Sequence, residues 1–179
     1  SSHSWDDGVV CEGGAECLTR AWRDFADAIA AKDPDGSRPI WVTEYATRET
    51  DLPGGEWPLP DTDGTFNATW SPAYAVRVFE NTLAHLNNGA SAPFIWQLLD
   101  EPTEVKNKDK AWGLIALDGT EKPVWQVLAP LCSALPVGGS VLTPPDTAGL
   151  PVVAAAVADD SRVVVGLAND SDEEASVVL

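Results

Sequence analysis

Two short apolar runs, each closing on a carboxylate, constrain this chain more than any other feature. The first, IWVTEY at residues 40–45, carries aromatic and β-branched side chains at both even and odd positions, and Glu44 stands where it ends. The second, PFIWQLL at residues 93–99, runs directly into Asp100 and Glu101. Runs of this kind, apolar on both faces, belong in a sheet that is covered on both sides. Three helical segments surround them. Residues 15–32 repeat Leu18, Trp22, Phe25 and Ile29 at spacings of four, three and four, and DPDG then stops the pattern. In SPAYAVRVFENTLAHLNNG, Ser71 is placed to cap, Pro72 suits the first turn and Gly89 the stop, with Val76, Phe79, Leu83 and Leu86 as the apolar stripe. After an Asp118–Gly119 turn, Pro123 opens a third helix with Val124, Val127, Leu128, Leu131 and Leu135 inward and Cys132 expected to be buried. The order helix, strand, helix, strand, helix predicts an α/β fold with a parallel sheet. Active sites of such folds gather at the carboxyl edge of the strands.

The texture changes after residue 143. Residues 152–157, 162–168 and 175–179 read as short strands separated by ADDS and NDSDEE turns, an antiparallel meander. Three strands seldom stand alone, so this part reads as the opening of a β-sandwich that is cut short. The expected division is residues 1–143 for the α/β part and 144–179 for the sandwich. A long Pro-, Gly- and Asp-rich loop, TDLPGGEWPLPDTDGTFNATW, follows the first strand and contains Trp57 and Trp70. Loops of that length generally carry function or lack order, and two tryptophans favour function.

Composition narrows the function. A formal charge of -17 argues against nucleic acids and anionic membrane surfaces as partners, because phosphates would be repelled. A hydrophobic fraction of 44% is enough for a packed core. No run is long enough to cross a membrane, and the polar opening SSHSWDDG is not a signal peptide. With no methionine anywhere, the start reads as a cut within a longer polypeptide. Cys11 and Cys17 in CEGGAEC form either a short disulfide, which suits a secreted protein, or two free thiols. Only two histidines are present and no cluster has zinc-ligand spacing, so no metal or other cofactor is expected. Asn67 and Asn169 open NAT and NDS sequons, which matter only in a eukaryotic host.

Glu44 is the chemical centre. A carboxylate at the carboxyl end of a strand, between aromatic neighbours, can serve as nucleophile or general acid; the plainer alternative is a capping or ion-paired Glu. Its company favours chemistry. Trp96 sits near the end of the next strand, His3 and Trp5 stand at the head of the chain, and eight tryptophans are present in all. Aromatic faces stack on the C–H faces of sugar rings, and carboxylates cleave glycosidic bonds. Trp22 and Trp125, on helix faces, are more simply core.

At these residues the sequence resembles the clan A glycoside hydrolases, retaining (β/α)8-barrel enzymes. RPIWVTEYATRE is similar to the clan's seventh strand, whose terminal Glu is the nucleophile, which implies that role for Glu44. SSHSW resembles the end of the sixth strand, with His3 matching a His near the −1 sugar and Trp5 standing where a Tyr is common. APFIWQLLDEP resembles the eighth strand, whose Trp floors the −1 subsite, implying that role for Trp96. GLIALDGTEKPVWQVLAPL is similar to the run into the last helix. The resemblance covers roughly residues 1–140. It implies the C-terminal half of a TIM (β/α)8 barrel, strands six to eight, followed by the first strands of an antiparallel β-sandwich. It also implies a secreted glycosidase acting on an oligo- or polysaccharide by double displacement. Tyr45, Gln97 and Glu101 join His3, Trp5 and Trp96 as expected sugar contacts, while Asp6, Asp7 and Asp100 read as loop acids. The clan's acid/base lies on a fourth strand, which would precede residue 1; a whole barrel takes about 250 residues, so this chain alone should not turn over substrate. Two other readings compete. One is a non-catalytic carbohydrate-binding protein derived from a barrel, and the other a metal-dependent lyase on the same scaffold.

Overall fold

The structure, a computed structural model, describes residues 2–4, 22, 25, 27–46, 68–100, 112–142, 152–169 and 171–177. Among these residues it is a mixed α/β arrangement with two three-stranded sheets. Strands β1 (Ser2–Ser4), β2 (Ile40–Tyr45) and β3 (Ala90–Ile95) form the first, in that spatial order, with both pairings parallel. Parallel neighbours need a crossover between them. Helix α1, helical at positions 22, 25 and 27–30, lies between β1 and β2 in the chain, and α2 (Pro72–Asn87) lies between β2 and β3. Helix α3 (Pro123–Ala134) follows β3. Strands β4 (Ser140–Leu142), β5 (Val152–Ala158) and β6 (Val163–Asn169) make the second sheet, antiparallel throughout.

Helix α2 starts and stops as its sequence dictates. The Ser71 hydroxyl accepts from the Ala73 N–H at 3.1 Å and Pro72 takes the first position. At the other end Asn88 N–H bonds back to the Ala84 carbonyl, and Gly89 adopts a φ of 95° that favours glycine. The buried set is wider than the expected stripe. Tyr74, Ala75 and Val78 pack with Val42, Tyr45 and Ala90 of the parallel sheet. Leu83, fully buried, packs with Ala155 and Ala168 of the antiparallel sheet. Asn87 Nδ2 donates to the Ala154 carbonyl at 2.7 Å, and Gly166 lets β6 approach so closely that an added Cβ would lie 2.6 Å from Leu83 Cδ2. One helix therefore serves two layers. Val76 and Phe79, expected to be the core stripe, are only half-buried, whereas the polar Glu80, Thr82 and His85 are buried.

Four further expectations are corrected. The ladder of β3 begins at Ala90 and ends at Ile95, earlier than 93–99, and the Trp96–Gln97 peptide bond beyond it is cis. Phe25 of the predicted first stripe is exposed, while Trp22 and the half-buried Ile29 join the core. Cys132 is exposed, because Leu128 and Leu131 take the buried face of α3. Residues 175–177, assigned to a third tail strand, are not in a strand: Asn169 Oδ1 accepts from Ser171 N–H at 3.0 Å and its Nδ2 donates to the Glu173 carbonyl at 2.8 Å, closing a local turn in place of a ladder. The third strand is instead β4, from the run ahead of residue 143, paired with Ala156–Ala158 of β5. Residues 178–179, Cys11 and Cys17 lie outside the described residues, as does most of the predicted first helix.

The cover of the parallel sheet is one-sided among the described residues. Trp41 and Phe94, on adjacent strands, stay 53% and 49% exposed and meet edge to face at 5.9 Å. On the helix side His85 is wedged between Trp22, whose Nε1–H donates to His85 Nδ1 at 3.0 Å, and Tyr45, whose ring centroid is 4.9 Å away. Burial pushes the His85 imidazole down from 6.5 to about 4. The unfolded chain therefore binds a proton that the folded chain refuses between those values. The stabilisation from a neutral His85 is complete above about pH 6.5 and is lost as pH falls toward about 4, a change of about 3 kcal/mol. Denaturant titrations across this window should show that loss, and His85→Asn should flatten the slope while lowering stability at neutral pH.

Candidate active site

Three parallel strands end at one level. His3 pairs with Glu44 and Ser4 with Tyr45, while Tyr45 pairs with Ile95 across the other side of β2. The ladder closes where Trp96 N–H donates to the Tyr45 carbonyl at 3.0 Å. Glu44 thus sits in the middle strand, with the backbone of His3 on one flank and the Ile95–Trp96 junction on the other. Register irregularities interrupt the β2–β3 pairing between Val42 and Tyr45. Across them both Val42 and Tyr45 end up in the core beneath the helices. Neighbouring residues of a strand point to opposite faces, so Glu44 is presented away from α2, on the side that carries Trp41 and Phe94. Glu44 is half-buried and Trp96 is 42% exposed.

Tyr45 does not join them. Its ring is 2% exposed and its hydroxyl lies 2.6 Å from Thr82 Oγ1 of α2, whose own hydroxyl donates to the Val78 carbonyl at 2.8 Å. Desolvation raises the pKa of that phenol well above its ordinary range. The expected sugar contact is therefore a core residue: the irregularity in β2 turns it to the helix. Gln97 is held by its backbone, its carbonyl accepting from Leu114 N–H at 2.9 Å, and its side-chain Nε2 is buried without a hydrogen-bond partner among the described residues. The side chain of His3, together with Trp5, Asp6, Asp7, Trp57, Asn67 and Glu101, lies outside the described residues.

The sequence reading passed over a cluster beside this edge. Lys122 is fully buried, and its Nζ donates to Asp100 Oδ1 at 2.7 Å and to Thr69 Oγ1 at 2.9 Å. Burial lowers the lysine pKa, and the neighbouring Asp100 carboxylate opposes that shift. Asp100, read as a loop acid, is thus a structural anion; the same oxygen accepts the Gly113 N–H at 2.7 Å. A lysine directly ahead of a helix-opening proline was the signal available, and it reads as an ordinary helix start. Among the described residues no group of three or more His, Cys, Asp or Glu side chains is arranged to hold a metal ion, and no helix is long and apolar enough to cross a membrane. In backbone register the edge brings together one residue that carries a carboxylate, Glu44, and one that carries an exposed indole, Trp96.

The Asp100 turn leaves no room at residue 113, where an added Cβ would overlap the backbone of Leu99 and Asp100. Gly113→Ala should destabilise the fold by about 1–3 kcal/mol, read as a lower denaturation midpoint.

No protein-family model matches the chain, and no curated protein matches it. Among solved structures the chain is similar to one described as a family 39 glycoside hydrolase from the gut symbiont Bacteroides cellulosilyticus WH2. The likeness covers 70% of this chain and 22% of that one, at 17% sequence identity and a TM-score of 0.45.

Proposed function

We propose that this chain is the C-terminal part of a secreted retaining glycosidase that cleaves O-glycosidic bonds of an oligo- or polysaccharide. On this reading residues 1–143 complete a (β/α)8 barrel and residues 144–179 open a β-sandwich. The observation that carries the proposal is the alignment of Glu44 between His3 and Trp96 at the carboxyl edge of a parallel sheet. A carboxylate here can approach the anomeric carbon of a sugar whose C–H face rests on an exposed indole. Glu44 attacks that carbon and forms a glycosyl-enzyme while a carboxylic acid protonates the departing oxygen. The same acid, now a base, then draws a proton from water as the intermediate is hydrolysed. The two carboxyl groups of a retaining pair stand ~5–5.5 Å apart. Asp100 is unsuited to the second role, because its Oδ1 is already taken by the Lys122 ammonium and the Gly113 N–H. The acid/base is assigned to residues upstream of Ser1, and residues 1–179 alone are expected to be inactive.

The test uses the full polypeptide in which this chain occurs. A set of aryl glycosides identifies a cleaved sugar, and the matching 2-deoxy-2-fluoro glycosyl fluoride then traps the intermediate. Mass spectrometry should find the sugar on the peptide that contains Glu44. Glu44→Gln should lower kcat by at least about a thousandfold and retain oligosaccharide binding. A label on another carboxylate, or hydrolysis undiminished in the variant, would sink the assignment. Saccharide binding without any hydrolysis by the wild type would favour the non-catalytic binding protein instead.

A further inference from the structure

Three separate stretches of chain meet at the Lys122 ammonium. The lysine itself is delivered by a fixed point: its N–H donates to the Leu114 carbonyl at 3.0 Å, and it immediately precedes Pro123, the first residue of α3. Val124, next along, is fully buried. Asp100 belongs to the segment that leaves β3, four residues beyond Trp96. Thr69 is fully buried in the short 3-10 turn Ala68–Trp70 that leads into α2. Lys122, at the head of α3, and Thr69, in the turn ahead of α2, meet beside Asp100, just beyond the carboxyl end of β3. All three contributions therefore stand on the side where Glu44 stands.

Each partner segment carries an exposed tryptophan. Trp70, next to Thr69, is 43% exposed and its ring centroid lies 5.6 Å from Lys122 Nζ. The ammonium underlies one face of that ring and solvent reaches the rest. Trp96 is exposed to a similar degree, 42%. Between Trp96 and Asp100 the chain is tied down by hydrogen bonds from Leu114 N–H to the Gln97 carbonyl at 2.9 Å and from Ile115 N–H to the Leu98 carbonyl at 3.0 Å. A buried ion pair is a poor source of net stability compared with an apolar filling. It does impose direction, because an ammonium satisfied by a carboxylate and a hydroxyl holds both at fixed bearings.

We propose that Lys122 is the positioning residue of a saccharide-binding surface, holding Trp70 and Trp96 in fixed relation so that successive rings of one oligosaccharide stack on both. The nature of the ligand rests on the glycosidase reading; the clamp does not. Trp96 receives the sugar at the reacting bond, and Trp70 one further along the chain. Lys122 touches neither sugar.

Fluorotryptophan labelling of the full polypeptide tests this, with fluorine NMR signals assigned through Trp70→Phe, Trp96→Phe and Trp22→Phe. Lys122→Met keeps length and removes the charge. It should move the Trp70 and Trp96 signals together, leave the buried Trp22 signal in place, and weaken binding of xylo-, manno- or cello-hexaose by about tenfold. Lys122→Arg should restore most of both effects. Thr69→Val, a milder change that removes one hydrogen bond, should move the Trp70 signal and serves where Lys122→Met does not fold. Trp70 and Trp96 signals that coincide with wild type in the variants overturn the clamp and leave the glycosidase reading intact. A wild type that binds none of the hexaoses overturns the sugar assignment together with that reading, whatever the tryptophan signals do.

Discussion

The buried contact between the Tyr45 hydroxyl and Thr82 decides which way the central strand faces. Tyr45 is pinned to α2 on the one side, and the residue before it is turned to the other. The contact closes a small polar core, because the Thr82 hydroxyl donates a hydrogen bond to the Val78 carbonyl and His85 lies edge-on to the same ring. Buried hydroxyls and imidazoles are costly unless they are paired, and here they are paired with one another and with the Trp22 indole. This network joins α1, β2 and α2, and the strand end that bears Glu44 takes its orientation from it. A carboxylate oriented by residues buried behind it is expected where the exposed layer of a site has to be rigid.

The edge is shaped by a second polar group, on the opposite flank. Lys122 and Thr69 are as thoroughly buried as the apolar core and Asp100 is partly buried, yet together they join three loops and no strands. The two networks differ in chemistry. The one around His85 works only with a neutral imidazole, and burial enforces that state. The one around Lys122 works with an ammonium facing a carboxylate, and burial alone would oppose it, so the Asp100 charge is indispensable.

Much of this was legible in the sequence because local rules and tertiary demands agree. Strand β2 was readable at its observed bounds from its apolar run, and α2 from its Ser-Pro start and Gly stop. Other features required knowledge of what lies opposite. The stripe on α2 was misjudged because a helix clasped by two sheets buries residues around most of its circumference, Glu80 and His85 included. Tyr45 was assigned to the ligand by its place next to Glu44 in the resembled motif, whereas adjacent residues of a strand face opposite ways and the core holds Tyr45. The last tail strand failed for a different reason: Asn169 and Ser171 bind their own backbone, and that competition has no apolar signature. Lys122 was invisible, since a lysine before a proline announces a helix and says nothing of an anion twenty-two residues earlier in the chain.

Helix α2 also makes the two sheets mechanically dependent. Leu83 and Asn87 rest on the antiparallel layer, while Tyr74, Val78 and Thr82 grip the parallel one. A beam supported from both sides cannot rock toward one without leaving the other. The antiparallel strands thus act as a buttress, and a disturbance at Ala154 or Gly166 is carried through a single rigid rod to the tip of β2.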